Sequence, residues 1–158
     1  MAESMPQAGD AAPAFEGTTH DGHTLSLGDF AGSWLLLYFY PKDDTPGCTK
    51  QACNLRDHLA DLKRAGVAVV GVSPDDGEAH GKFTTKYDLP FPLLADPDKT
   101  ILQAYGTWGE KNLYGKKSMG VKRTSFLIDP EGVVRHVFKR PRTEAHAEEV
   151  LAKLGTLG

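Results

Sequence analysis

The chain has 158 residues, 40 % of them apolar and 25 % charged, the balance of an ordinary water-soluble globular protein. Its 18 Lys and Arg against 21 Asp and Glu leave a formal charge of −3, without the basic surplus that nucleic-acid binding calls for. The longest apolar run, Trp34–Tyr40, is far shorter than the roughly 18 residues of a membrane span. The opening MAESMPQAGD shows neither the basic nor the apolar region of a secretory signal, so a cytoplasmic protein with no membrane or nucleic-acid partner is expected.

Residues 1–8, rich in small residues and proline, read as a flexible lead-in to a single domain over 9–158. His20-Asp21-Gly22-His23 marks a turn before the short alternating stretch Thr24–Leu27. Trp34–Tyr40 is continuously apolar and bounded by Gly32 and Pro41, the pattern of a strand buried on both faces. Ala52, Leu55, Leu59 and Leu62 recur at helical spacing and predict an amphipathic helix over 46–64, ended by Gly66. A second buried strand is expected at 67–72, a helix at 77–87, a short strand at 93–95 and a short helix at 99–105. Residues 106–122, broken by glycines and lysines, read as a long surface loop. Strands at 125–128 and 133–138 flank Asp129-Pro130-Glu131-Gly132, a hairpin turn, and a last helix is expected from Thr143 as N-cap to Gly155 as terminator. Strands and helices in alternation, closed by a hairpin, make an α/β fold with a mixed central sheet flanked by helices.

The chain's two cysteines, Cys48 and Cys53, are too few for a disulfide scaffold or a four-ligand zinc site. They follow a buried strand at its carboxyl end, where open α/β sheets place their sites. Thr45 suits the N-cap and Pro46 the first helical position. Cys48 then falls in the first turn, where the helix dipole and unpaired N–H groups favour thiolate over thiol. More thiolate alone gains only a few-fold in rate, because nucleophilicity falls as basicity falls. Positioning and stabilisation of the leaving charge must supply the rest. On a regular helix, residues five apart have Cα atoms about 8.6 Å apart, beyond the roughly 7 Å reach of a disulfide. Cys48 and Cys53 can bond only if the helix start unwinds. Two small apolar residues packed in a helix at a chance spacing remain the plain alternative.

Pro41-x-x-x-Thr45-x-x-Cys48 resembles the active-site signature of the peroxiredoxins, and Phe39–Thr49 is similar to the bacterioferritin comigratory protein, or Q-type, branch of that family. The resemblance runs from Gly9–Phe15 through Leu27–Phe30, Gly71–Ser73, Leu93–Asp96 and Tyr105–Trp108 to Arg123–Asp129. It implies a thioredoxin-like fold and a thiol peroxidase acting on hydrogen peroxide and organic hydroperoxides. It also implies Cys48 as peroxidatic nucleophile, Thr45 as substrate-orienting hydroxyl, Pro41 as a shield against water and Arg123 as the cation beside the thiolate. Cys53 matches the resolving position, which would close an intramolecular disulfide with oxidised Cys48, and thioredoxin or a similar dithiol would be the reductant. No cofactor or metal is implied. With no cysteine beyond Cys53 to bridge subunits from a C-terminal arm, a monomer is expected.

Two rival functions use the same residues. A thiol–disulfide oxidoreductase would leave Thr45 and Arg123 idle and lacks Cys-x-x-Cys spacing; a non-enzymatic thioredoxin-fold interaction module would use both cysteines as packing. The glycines and lysines at Gly109 and Gly115–Ser118 have the wrong spacing for a phosphate loop. His20 and His23 read as exposed polar residues of a turn rather than metal ligands, and Asp43 and Asp44 as loop charges rather than an acid/base pair. Trp34, Tyr38 and Phe126 read as core.

Overall fold

A computed structural model describes residues 5–113 and 115–157, with side chains at 111–113 left out of the description. Strand β1 (Glu16–Thr19) and strand β2 (Thr24–Ser26) form a small hairpin, followed by a single 3-10 turn (Leu27–Phe30). Strand β3 (Trp34–Phe39) leads to helices α1 (Pro46–Asp57) and α2 (Leu59–Arg64) and back into strand β4 (Val67–Ser73). Helix α3 (Gly77–Tyr87), strand β5 (Leu93–Ala95) and helix α4 (Thr100–Ala104) follow. The chain closes with β6 (Trp108–Leu113), β7 (Lys116–Val121), β8 (Thr124–Ile128), β9 (Val134–Phe138) and helix α5 (His146–Leu157).

The main sheet has seven strands in the order β2-β1-β5-β4-β3-β8-β9. Pairs β3–β4 and β4–β5 are parallel, whereas β8 joins β3 and β9 joins β8 antiparallel, so the sheet is mixed as expected. The central strands feed two cores because side chains alternate across a sheet. Leu36 and Tyr38 of β3 face the core covered by α1, α2 and α5, while Leu35, Leu37 and Phe39 face the core covered by α4 and the N-terminal segment. Tyr38 and Phe126 are buried in the core as expected, and Trp34 packs half-buried against it. Gly71 is required where Tyr38 crosses β4, since a Cβ there would stand 2.9 Å from Tyr38 Cζ and 2.7 Å from Leu93 Cδ2.

The expected helix over 46–64 is divided at His58, whose φ of −109° and ψ of 13° leave the helical region. Its Nδ1–H donates to the Asn54 carbonyl at 3.0 Å, competing for the acceptor that a continuous helix would give to the backbone alone. Leu55, Leu59 and Leu62 stay buried on one side all the same. The expected loop over 106–122 is instead an antiparallel hairpin of β6 and β7, paired from Trp108↔Val121 to Leu113↔Lys116. Lys116 to Met119 are exposed, so no apolar alternation advertises the strands. Gly115, at φ 78°, supplies the left-handed turn residue.

Strand β1 was not expected from the sequence: it is short and mostly exposed, and its pairing with β2 and β5 defines it. The last helix begins at His146, not at Thr143, whose hydroxyl turns to the Glu144 carboxylate at 3.3 Å. It also runs through Gly155, which keeps a negative φ and so does not terminate it. Residues 1–4 of the expected lead-in lie outside the described residues; Met5 packs against the core and Pro6 is buried.

Candidate active site

The antiparallel register of β3 with β8 sets Phe39 opposite Thr124 and Tyr38 opposite Ser125. The end of β3 that leads to Cys48 therefore lies beside the start of β8, which Arg123 immediately precedes. A separation of 75 residues is closed by that pairing, and Arg123 Nη2 stands 3.1 Å from Cys48 Sγ. The thiol itself is buried, with 2 % of its surface exposed. Thr45 takes the N-cap position with extended backbone, Pro46 is the first helical residue, and the first intrahelical bond runs from the Thr49 N–H to the Thr45 carbonyl at 2.8 Å. Cys48 thus lies in the first turn, where the sequence placed it, among N–H groups that have no partner within the helix.

The guanidinium is held at two points. Its Nη1 donates to Gln51 Oε1 at 2.6 Å while its Nη2 reaches Cys48, and Gln51 lies three residues along the same helix face. Gln51 is fully buried, and its Nε2 has no hydrogen-bond partner among the described residues. A Cβ at Gly47 would stand 3.2 Å from Arg123 Nη2, so the glycine makes room for the cation. Gln51 stays unassigned from the sequence patterns, although helical spacing from Cys48 is a signal that points to it.

Asp43 is a loop residue as expected from the sequence, but a buried one. It is 8 % exposed and accepts from the Tyr40 hydroxyl at 2.5 Å, and its other oxygen lies 2.6 Å from His80 Nδ1. Its backbone N–H donates to Asp75 at 2.8 Å, and the Ser73 hydroxyl donates to the same Asp75 oxygen at 2.6 Å. His80 is fully buried, and its Nε2 lies 2.9 Å from the Leu94 carbonyl. Burial disfavours its imidazolium, but the hydrogen bond and charge of Asp43 outweigh that and raise its pKa above the ordinary histidine value. Partners 37 residues apart leave no local trace in the sequence. Asp44 does behave as a surface charge, meeting Lys86 at 2.8 Å.

Behind Arg123, Ser125 Oγ lies 2.8 Å from His146 Nε2, and His146 Nδ1 lies 3.1 Å from Glu149. Burial holds this imidazole below its ordinary pKa, against the pull of Glu149 and with the Arg123 charge adding to the effect. Serine, histidine and glutamate in line suggest a hydrolytic triad, but Ser125 and His146 are fully buried, with no surface from which a substrate could reach them. The set ties α5 to the strand that follows Arg123.

The other expected residues are less tightly gathered. Pro41 is half-buried at the start of the loop, and the Thr45 hydroxyl donates to the Lys42 carbonyl at 2.9 Å instead of capping the helix. Cys53 is half-buried one and a half turns beyond Cys48 on the same helix, and both thiols are free. Beside it, Asn54 binds α5 and the turn before it through Ala147 N–H at 2.7 Å, Glu148 at 2.9 Å and the Glu144 carbonyl at 3.1 Å. Asp43, Asp75 and His80 group closely enough to suggest metal ligands. Two ligand atoms on one zinc ion stand about 3.4 Å apart, however, and the 2.6 Å between Asp43 and His80 is a hydrogen bond with no room for an ion. His20 and His23 are exposed, with His23 beside Asp21 at 3.1 Å.

A free thiol in a helix first turn, with a fixed guanidinium against it, is built for nucleophilic chemistry. The model of the AhpC/TSA family matches residues 8–137 of the sequence. The chain belongs to that family. Its relatives place it among the peroxiredoxins of the bacterioferritin comigratory protein, or Q-type, branch. It is 49 % identical over 148 residues to a putative peroxiredoxin Bcp of Coxiella burnetii, covering 94 % of this chain and 98 % of that one. It is 48 % identical over 145 residues to peroxiredoxin Bcp of Escherichia coli, with 92 % and 93 % covered. The bacterioferritin comigratory protein of Xanthomonas campestris, studied for its alkyl peroxide reduction activity, superposes with a TM-score of 0.84 at 37 % identity over 90 % of each chain. This peroxiredoxin therefore has the thioredoxin fold and is a thiol-dependent peroxidase, with hydroperoxide as substrate and a thiol as reductant. Neither the oxidoreductase nor the interaction-module reading is favoured. No helix among the described residues is long and apolar enough to cross a membrane.

Proposed function

We propose that Cys48 is the peroxidatic nucleophile, and the contact of Arg123 with its sulfur at 3.1 Å carries that reading. The thiolate attacks the terminal oxygen of a hydroperoxide. The O–O bond breaks, the leaving alkoxide or hydroxide takes up a proton, and Cys48 becomes a sulfenic acid. Arg123 holds the thiolate and offers N–H donors to the charge that grows on the leaving oxygen. Gln51 positions that guanidinium, Thr45 orients the peroxide and Pro41 keeps water from the thiolate.

Cys53 is the resolving thiol in this reading. It displaces water from the sulfenic acid to form a Cys48–Cys53 disulfide, and an external dithiol of the thioredoxin type returns two electrons and two protons. Both cysteines lie within α1, so regular geometry holds their Cα atoms about 8.6 Å apart and resolution requires the helix to open. Hydrogen peroxide and organic hydroperoxides are the substrates, and residues 9–158 act as one domain in a cytoplasmic monomer.

Intact mass and free-thiol count within seconds of adding one equivalent of hydrogen peroxide test the scheme. Loss of both thiols and two hydrogens from a monomer is expected. Cys53→Ser should instead gain one oxygen and stop after a single turnover, and Cys48→Ser should consume no peroxide. Unchanged thioredoxin-driven turnover in Cys53→Ser would transfer resolution to another thiol, and peroxide consumption by Cys48→Ser would overturn the assignment of the nucleophile.

A further inference from the structure

His80 carries one proton more than a neutral imidazole facing a carboxylate could share. Its Nε2 lies 2.9 Å from the Leu94 carbonyl oxygen, which can only accept, so Nε2 bears a hydrogen. Its Nδ1 lies 2.6 Å from Asp43 Oδ2. A bare Nδ1 there would set one lone pair against another, so a proton must lie in that bond as well. Whether it is written as imidazolium and carboxylate or as imidazole and carboxylic acid, the pair keeps it in a site closed to water.

The pair is wired to the peroxidatic loop on every side. Asp43 accepts from Tyr40 at the end of β3 with one oxygen and meets His80 of α3 with the other. Its main chain is fixed to Asp75, which Ser73 at the end of β4 also holds, and His80 passes the connection on to β5 at Leu94. Five residues after Asp43 in the sequence comes Cys48. The ionisable groups facing His80 are Asp43 and Asp75, with the phenol of Tyr40, whose burial keeps it neutral. On its own helix Asp76 caps the Ala79 N–H, His20 of the β1–β2 turn lies against Gly81, and Asp96 beyond β5 is turned to the N–H groups of Ile101 and Leu102.

We propose that Asp43 and His80 are positioning residues of the peroxidase, and that the proton in their bond must be kept for the Cys48 loop to hold its reactive shape. The inference rests on Cys48 as the nucleophile. Loss of the proton sets the carboxylate against the Nδ1 lone pair, drives the two apart and releases the loop. The rate of Cys48 oxidation should therefore fall on the alkaline side of its pH profile, reversibly and with the slope of one proton.

Asp43→Asn separates this from a merely structural role. A carboxamide can donate its N–H to Nδ1 of a neutral imidazole while its oxygen still accepts from Tyr40, so the bond survives without the extra proton. The shape of the pH profile is read rather than its height: in D43N the alkaline fall should vanish. His80→Leu, which leaves a carboxylate buried without its partner, should lower the rate by up to about 100-fold at neutral pH. Nitrogen-15 NMR of His80 at neutral pH should show protons on both ring nitrogens or one shared with Asp43. An alkaline fall that persists unchanged in D43N, a wild-type profile that stays flat while His80 titrates, or a bare Nδ1 at neutral pH would each overturn the proposal. The NMR signature and amide exchange at Thr49, whose N–H closes the first turn of the helix on Thr45, do not depend on which thiol reacts. They judge the clamp even if Cys48→Ser shows that the nucleophile lies elsewhere.

Discussion

His80 and His146 are both fully buried, both hydrogen-bonded at each ring nitrogen, and both one step removed from the Cys48–Arg123 contact. Burial works against the imidazolium in each, yet the outcomes differ. His80 meets a buried carboxylate, and its pKa is raised. His146 meets the Ser125 hydroxyl and a Glu149 that is 27 % exposed in its side chain, with the Arg123 charge nearby, and its pKa is lowered. Depth alone does not decide the charge of a buried histidine; its partners do, since Asp43, the Leu94 carbonyl and Asp75 all favour the imidazolium of His80, whereas at His146 Glu149 stands alone against burial and the Arg123 charge. One imidazole thus fastens the loop before the thiol through a bond that keeps an extra proton, and the other fastens the strand after Arg123 without one.

The largest effect is expected at the cation that lies between these supports. Arg123→Met removes both the thiolate contact and the donor for the leaving oxygen, and kcat/KM for hydrogen peroxide should fall by about 100- to 1,000-fold. The same variant removes a positive charge from the neighbourhood of His146, whose pKa should move up while staying below the ordinary value because burial remains. His80, whose pKa answers to its burial, Asp43, the Leu94 carbonyl and Asp75, should titrate as before. Equal movement of both histidines in NMR titrations would show that their contrast comes from somewhere other than local partners.

A middle-sized effect belongs to stability. His146→Leu keeps the volume but leaves the buried Ser125 hydroxyl without its partner, which costs about 1–3 kcal/mol and lowers Tm by roughly 2–12 °C at neutral pH. The sign of the pH dependence follows from linkage. With its folded pKa below 6.5, His146 takes up a proton more readily unfolded than folded, so wild-type stability falls as pH drops below that value and the loss is complete below the folded pKa. The leucine variant has no such term, and its deficit should narrow toward pH 5. For His80 the direction is reversed: its raised pKa contributes stability that is full below 6.5 and is lost as pH rises through the folded value. A His146→Leu deficit that stays constant across this range would mean that the folded imidazole is not held neutral.

What the sequence revealed and what it hid divide along the same line between local and distant partners. Cys48 in a helix first turn was readable because Thr45, Pro46 and the strand before them are neighbours in the chain. The buried strands were readable because continuous apolar runs leave few other conformations. The β6–β7 hairpin was not, since exposed strands rich in lysine and glycine carry no alternation and owe their form to cross-strand pairing. Arg123 entered only through a family resemblance, because the register that brings it to Cys48 is a property of the assembled sheet. The burial of Asp43 is hidden for the same reason: beside Asp44 in a loop it looks like one of two identical charges, and His80 from another helix tells them apart.

Those adjacent aspartates give the smallest effect and the cleanest control. Asp44 lies on the surface, where Lys86 and the Tyr87 hydroxyl, each at 2.8 Å, lower its pKa. Its ion pair with Lys86 resembles the Asp43–His80 pair on paper, two opposite charges in hydrogen-bond contact. Water and salt reach both partners, however, and the side-chain entropy lost in holding a lysine offsets most of the gain. Lys86→Met should therefore shift Tm by less than about 2 °C, leave the pH profile of Cys48 oxidation in place, and show the same result in high salt. A Lys86→Met variant that lost the alkaline limb would mean that the loop is governed by its total charge. Retention of that limb, alongside its disappearance in Asp43→Asn, would assign it to the one carboxylate that the fold has closed off from water.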